Sequence, residues 1–270
     1  MNQADIDLLA QEVKRRSGLI VGRDKLYLLE SRLVPVARRR GLANLDDIMA
    51  LVRQGADEAL LTEIVEAMTT NESFFFRDTK PFEIFRSETL PHLLEARADT
   101  RRLRIWSVGC SSGQEPYSIA MLLKEEAARL AGWTVELIGA DLSNEVLEKA
   151  RAGVYSQFEV QRGLSIHYLM KYFQPAGERW RIDAGLRAMV QYRRVNLLDD
   201  LAPHGEFDVV FCRNVLMYFD AATKTDVLNR ISRLIPTDGA LYLGGTETVL
   251  GSTERFRPVP GQRGVYGLAA

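Results

Sequence analysis

Two glycines, Gly109 and Gly113, bracket a loop that follows the apolar run Ile105, Trp106 and Val108, and Glu115 and Pro116 come directly after it. The run favours a β-strand, the proline suits a first helical position, and Ile119, Ala120, Leu122 and Leu123 supply a helix's buried face. Glycine permits backbone conformations and close approaches that a Cβ would block, so a ligand can lie against this loop. Strand, loop and helix in that order outline a nucleotide site. The spacing is Gly-x-x-x-Gly, however, not G-x-G-x-x-G, and the missing middle glycine argues against a pyrophosphate packed on the backbone. A nucleoside without phosphates fits better. A second acid, Asp141, closes the strand-like run 135–141. At the carboxyl end of a neighbouring parallel strand it can accept hydrogen bonds from ribose hydroxyls; as an isolated residue it can equally be a solvent-facing helix cap.

Two other stretches carry unusual chemistry. The segment TTNESFFFRD at 69–78 sets three phenylalanines among Asn71, Ser73 and Arg77, where a plain linker would be polar or rich in proline and glycine. Either it packs between two domains, or the rings plug a core while the polar residues face water. Between Lys14 and Arg40 nine basic residues stand against Asp24 and Glu30, a local balance of 9 − 2 = +7 in a chain whose net charge is −1. Within it Lys25, Arg32 and Arg39 are seven residues apart and fall on one face of a helix. That face is either a solvated surface or a dock for an acidic partner.

The elements that must position these groups are readable in order. A helix from about Ala4 to Ser17-Gly18 and a second after Asp24, with Leu26, Leu29, Leu33 and Val36 inward and a kink at Pro35, open the chain. Asn44 with Asp47, and Asp57, start two short helices. Thr79 is expected to cap a helix through Leu90, and Ser143 one through Arg151. Strands and helices then alternate, which implies a mostly parallel sheet, with the helix after the glycine loop reaching about Leu130. The span 153–196 interrupts the alternation: 180–182 and 189–195 read as short strands joined by a turn at 183–185, a small antiparallel excursion. Further strands follow at 207–214 and 239–244, and 265–268 is expected to close the sheet as an antiparallel edge.

With 270 residues, 46% apolar and 26% charged, the chain is an ordinary globular one of one large or two modest domains. The acidic start, with Asp5, Asp7 and Glu12, does not read as a signal peptide, and no apolar run approaches a membrane span, so a cytoplasmic protein is expected. Cys110 and Cys212 read as small core-edge residues, and the separated His92, His167 and His204 suggest no metal site.

Five blocks in order make the chain resemble the CheR family, the chemotaxis receptor methyltransferases that move a methyl group from S-adenosylmethionine to receptor glutamates. They are TTNESFFFR (69–77), WSVGCSSGQEPYS (106–118), Asp141 with EVLEKAR (145–151), VNLL (195–198) and FCRNVLMYFD (211–220). The resemblance runs nearly end to end. It implies an α/β fold, a Rossmann-like class I methyltransferase domain (91–270) with a small antiparallel β-subdomain inserted at 153–196. An all-α amino-terminal domain (1–70) and a linker (71–90) that contributes to the cofactor site would precede it. It implies S-adenosylmethionine as cofactor and S-adenosylhomocysteine as product. Asn71, Ser73 and Arg77 would meet the cofactor from the linker, with Ser73 keeping the hydroxyl of the family's usual threonine. Asp141 would hold the ribose diol and Glu115 the ammonium of the methionine moiety, with Asn196, Leu197, Asn214 and Val215 around the adenine and methionine portions. Arg77 and Tyr218 would be the catalytic candidates, Arg77 orienting the acceptor carboxylate and Tyr218 near the methyl. An acceptor glutamate is already ionised at neutral pH, so catalysis would rest on alignment and desolvation rather than on a base.

The resemblance also makes Lys25, Arg32 and Arg39 a docking face for the acidic helices of chemotaxis receptors, to whose arrays a cytoplasmic, monomeric enzyme would be recruited. Some family members grip a receptor's tail pentapeptide through a longer, glycine-rich loop in the β-subdomain. Here the stretch 173–180 is short and holds one glycine, so independence from that tether is expected. Nucleic acid is not an expected partner, since the basic helix has no aromatic stacking platform beside it. The alternatives are a methyltransferase with another acceptor and a cofactor-binding sensor or scaffold without turnover.

Overall fold

The computed structural model describes residues 3–21, 26–55 and 57–269. Helices α1 (Gln3–Ser17), α2 (Leu26–Arg39), α3 (Leu45–Arg53) and α4 (Glu58–Met68) bury Leu9 and Val13, Leu29, Leu33 and Val36, Ile48, and Ile64 against one another. These residues recur at three- and four-residue spacing, so each helix turns one stripe inward. Gly18, at φ +75°, ends α1. Asn44 and Asp47 form a reciprocal capping box at α3, and Asp57 accepts the Leu60 N–H at 2.6 Å to start α4, caps that contribute about 1 kcal/mol each. Helix α2 stays helical through Pro35. Asp24 and Lys25 lie outside the described residues.

After the segment 69–79, α5 (Lys80–Ile84) passes through a π-helical turn, Phe85–Thr89, into α6 (Leu90–Ala96). The wide turn lies where Pro91 could neither donate to nor sit against the carbonyl four residues back. Thr79 is not a side-chain cap: its φ is +47° and its hydroxyl accepts no helix N–H. Then come β1 (Arg102–Val108), α7 (Gln114–Glu125), β2 (Thr134–Asp141) and α8 (Asn144–Ala152). Helix α7 ends at Glu125, short of Leu130, and turns carry the chain on to β2. The Ser143 side chain does not cap α8 either; Glu66 of α4 supplies the carboxylate, accepting the Asn144 N–H at 3.2 Å and the Ser143 hydroxyl at 3.3 Å.

The insertion follows as β3 (Val154–Ser156), α9 (Gln157–Gln161), α10 (Ile166–Tyr172), β4 (Phe173–Ala176) and β5 (Arg179–Ile182), and its three strands form a separate antiparallel sheet in the order β3-β5-β4. The expected pairing of 180–182 with 189–195 is not what forms. Asp183 accepts the N–H groups of Gly185 and Leu186, which starts helix α11 (Ala184–Met189), and the chain then enters β6 (Val190–Arg194). Strand β6 pairs parallel with β2 in the large sheet. The small sheet thus ends at Ile182, and its third strand is β3.

The remaining elements are β7 (Val209–Cys212), α12 (Ala221–Ser232), β8 (Ala240–Leu243), β9 (Phe256–Pro258) and β10 (Val265–Leu268). The seven-stranded sheet has the order β6-β2-β1-β7-β8-β10-β9, parallel from β6 to β8, with β10 antiparallel to β8. Strand β9 takes the edge in place of 265–268, which lies one strand in as β10. Alternate residues face opposite ways: Leu103 and Ile105 join one core cluster with α7, while Trp106 and Val108 join the other with α12. Chain order reverses between β1 and β7, and a ligand crevice is expected at such a switch point, outside the strands' carboxyl ends.

Candidate active site

A cleft of about 910 Å³, counting its open mouth, occupies that position. Gly109 and Ser111 line it after β1, Asp141 and Leu142 after β2, Asn196 and Leu197 after β6, and Asn214, Val215 and Tyr218 after β7. Ser17 and Leu19 from the end of α1, with residues 69–74 and Arg77, form its other wall. Every residue assigned above to cofactor or catalysis therefore borders one cavity. Two of the three basic docking candidates are described, and neither lines it.

The glycine loop is shaped by what lies against it. Gly109 has φ +64°, and a Cβ there would collide with Val215 Cγ2. Gly113 has φ +94°, and a Cβ would lie 2.7 Å from the Tyr192 hydroxyl. Asp141 is buried, with one oxygen accepting the Ser111 N–H at 2.8 Å and the other the Ser143 N–H at 3.0 Å. A carboxylate offers about four acceptor positions, and with the Leu142 N–H also acting on Asp141 there is room left for a ligand hydroxyl. Burial pushes the Asp141 carboxyl up despite those backbone bonds.

Glu115 leads α7 into the cleft. One oxygen accepts the Ser107 hydroxyl at 2.8 Å and the other the Arg213 Nη1 at 2.9 Å. Burial raises its pKa, and the Arg213 charge opposes that rise. The Arg213 side chain is itself 1% exposed, donates through Nη2 to the Asp78 carboxylate at 2.7 Å and the Arg77 carbonyl at 2.8 Å, and lies over the Phe82 ring. It ties the end of β7 to the linker. The linker needs such anchors, because Phe76, Asp78 and Thr79 all hold positive φ without being glycine. Phe75 and Phe76 are buried in the core, whereas Phe74 borders the cleft, with the Arg77 and Arg162 guanidinium groups over its ring. Two of the rings plug the core as one reading had it, but Asn71, Ser73 and Arg77 line the cleft and do not simply face water.

Arg77 is half-buried and donates to the Glu72 carbonyl at 3.2 Å. The Asn196 amide is engaged at both ends, Nδ2 donating to the Arg16 carbonyl at 2.6 Å and Oδ1 accepting the Leu198 N–H at 3.1 Å. It therefore binds the first helix to the loop after β6, with one N–H and one acceptor position left over. Arg32 points inward, its guanidinium donating to the Met68 and Thr69 carbonyls at 2.7 Å each and to the Thr70 hydroxyl at 3.2 Å. It closes the end of α4 at the cleft's wall, while Arg39 is exposed. Sequence reasoning missed Arg213, which lines this cleft, and Glu66, which holds the start of α8 beside it. The one available signal for Arg213 was an arginine directly after four apolar strand residues; for Glu66 there was none. Among the described residues no group of His, Cys, Asp and Glu is arranged to hold a metal ion, and no helix is long and apolar enough to cross a membrane.

Comparison with known proteins agrees with this geometry. The model of the CheR methyltransferase SAM-binding domain matches residues 71–265, and that of the CheR methyltransferase all-alpha domain matches residues 4–69. The chain is 39% identical to "Chemotaxis protein methyltransferase 1" of Pseudomonas aeruginosa, over 97% of this chain and 96% of the relative. It is 40% identical to a chemotaxis protein methyltransferase of Vibrio parahaemolyticus, over 92% of this chain and 90% of the relative. A third, from Salmonella typhimurium, is 32% identical over 100% of this chain and 91% of the relative.

Proposed function

Since the chain belongs to the CheR methyltransferase family, we propose that it methylates glutamate side chains of methyl-accepting chemotaxis receptors, forming glutamate methyl esters. It is an S-adenosylmethionine-dependent methyltransferase. The observation that carries the finer reading is the set of groups sharing one cleft: Asp141 with both oxygens held by backbone N–H groups, Glu115 held by Arg213, and Arg77 and Tyr218 on the same cavity. When bound, S-adenosylmethionine supplies an electrophilic methyl carbon on a sulfonium. Asp141 binds its ribose diol and Glu115, through the acceptor position left on each oxygen, its ammonium. Leu197 and the remaining donor and acceptor of Asn196 take the base.

The acceptor needs no base. A glutamate side chain has a reference pKa of about 4.3 and is ionised at neutral pH. The task left to the protein is to align it and exclude water, which is where oriented intramolecular reactions gain most. Arg77, held over Phe74 and by the Glu72 carbonyl, orients the carboxylate by charge, and Tyr218 completes the wall. Of the two docking candidates among the described residues, Arg32 and Arg39, the exposed one is Arg39. The short turn between β4 and β5 supports a receptor interaction independent of a tail tether.

Transfer of labelled methyl to chemoreceptor-containing membranes tests the reading. Label released as methanol by mild alkali is the expected result, because esters hydrolyse and N- or C-methyl groups do not. Alkali-stable label would move the acceptor to nitrogen or carbon. Cofactor binding without any label would favour a sensor.

A further inference from the structure

The loop after β7 presents Asn214, Val215 and Tyr218 to the cleft; Leu216 and Phe219 anchor its far half in the core and the Ile20 N–H holds the Tyr218 carbonyl, which leaves its near half, at Asn214, to be fixed. Asn214 holds φ +59°, a left-handed conformation that costs a non-glycine residue about 1 kcal/mol. Its position is set from outside. Glu247, in the loop after β8, accepts the Asn214 N–H at 2.7 Å and the Gly244 N–H at 2.8 Å on one oxygen, and the Met217 N–H at 3.2 Å on the other. Three backbone donors on one carboxylate are charge-assisted hydrogen bonds, roughly twice as strong as neutral ones. Gly244 makes the approach possible: a Cβ there would lie 2.7 Å from Asn214 Nδ2 and 2.8 Å from the Glu247 carboxylate. On the opposite side Val215 rests on the bare backbone of Gly109. The loop is thus gripped between the glycine turn of β1 and a carboxylate two strands away.

We propose that Glu247 is a positioning residue for methyl transfer, holding Asn214, Val215 and Tyr218 at the distance from the β1 loop that the reaction needs. It touches neither substrate nor cofactor in this role. Replacing it by Gln keeps a single neutral acceptor and aims an NH₂ at one of the backbone donors; replacing it by Ala removes the grip. A displacement of about 1 Å in such a wall can cost 100-fold in rate.

The proposal's turnover arm rests on the methyl-transfer reading above; its other arms do not. The test compares the full-length protein with Glu247→Gln and Glu247→Ala, measuring kcat at saturating S-adenosylmethionine, KM for receptor, calorimetric affinity for S-adenosylhomocysteine, melting temperature and amide exchange over 213–218. The expected result is a kcat lowered about tenfold by Gln and about 100-fold by Ala, with KM for receptor little changed; the Gln variant, which keeps an acceptor, melts where the wild type does, and only the Ala variant, which leaves three N–H groups unpaired, loses stability. Exchange at Asn214 and Met217 should quicken in the same order, and S-adenosylhomocysteine should bind about tenfold more weakly. Unchanged kcat alongside faster exchange would overturn the proposal, as would a kcat loss that tracks melting temperature across both variants. Should the Ala variant not fold, the Gln variant decides alone. If the wild-type chain methylates no receptor, the functional reading fails, and exchange with S-adenosylhomocysteine affinity still decides on Glu247: both altered supports the grip, both unaltered removes it.

Discussion

Glu115 and Asp141 are carboxylates that a cationic, hydroxyl-bearing ligand needs ionised, set where burial favours their neutral forms. Each is compensated differently. Asp141 has the backbone N–H groups of Ser111, Leu142 and Ser143, and Glu115 has the Arg213 guanidinium and the Ser107 hydroxyl. For both, burial is the larger influence and the pKa lies above its ordinary value. The sign for binding follows. Ligand affinity is full where both are ionised and is lost as pH falls through the raised pKa values, by about tenfold per pH unit for each carboxylate that takes up a proton. Calorimetric titration of S-adenosylhomocysteine from pH 8 downward should therefore weaken before the ordinary carboxylate range is reached. Affinity unchanged down to pH 4.5 would remove these two residues from the ligand.

At the scale of elements, the cleft exists because glycine turns and buried ion pairs let strand ends approach one another. Gly109→Ala should be far from neutral: its φ of +64° strains any side chain, and the new methyl would displace Val215. We expect about 1–2 kcal/mol lost in urea unfolding, with at least a tenfold loss of S-adenosylhomocysteine affinity. Gly245→Ala is the control, since a Cβ there has nothing within 4 Å and its φ is not left-handed, and it should change neither. Equal effects of the two substitutions would mean that Val215 does not depend on the bare backbone. The loop after β1 was readable from its glycines, while the groups that hold the loop after β7, Arg213 and Glu247, were not.

Across the whole molecule, the helical amino-terminal part is a wall of the cleft rather than an appendage. Glu66 reaches α8, the Arg16 carbonyl takes the Asn196 amide, Lys14 pairs with Asp220 at 2.6 Å, and the Ile20 N–H donates to the Tyr218 carbonyl at 3.0 Å. This separates two arginines that sequence spacing had grouped. Arg39→Glu should raise the KM for receptor severalfold and leave S-adenosylhomocysteine affinity within about twofold, because Arg39 is exposed and touches no part of the cleft. Arg32→Glu should lower stability by about 1–3 kcal/mol and weaken both, because it abandons the carbonyls of Met68 and Thr69 at the cleft's wall. A receptor KM unmoved by Arg39→Glu would mean that α2 is not the docking face.

What the sequence determined by itself is what short-range physics enforces. Alternating apolar residues put Ile105 and Trp106 on opposite faces of a strand, the caps at Asn44 and Asp57 began helices, and two glycines marked the loop after β1. The acid at the end of β2 followed from the same local grammar. What only the tertiary structure decided involves partners far apart along the chain. Ser143 was a plausible cap, but Glu66, 77 residues before it, supplies the carboxylate at that helix start. Residues 190–194 could have closed a hairpin, yet pairing with β2 gave them a parallel place in the large sheet. Arg32 turns inward to carbonyls 36 and 37 residues away. In each case several partners were locally acceptable, and the choice went to the one that satisfied buried polar groups once the two parts of the chain had packed together.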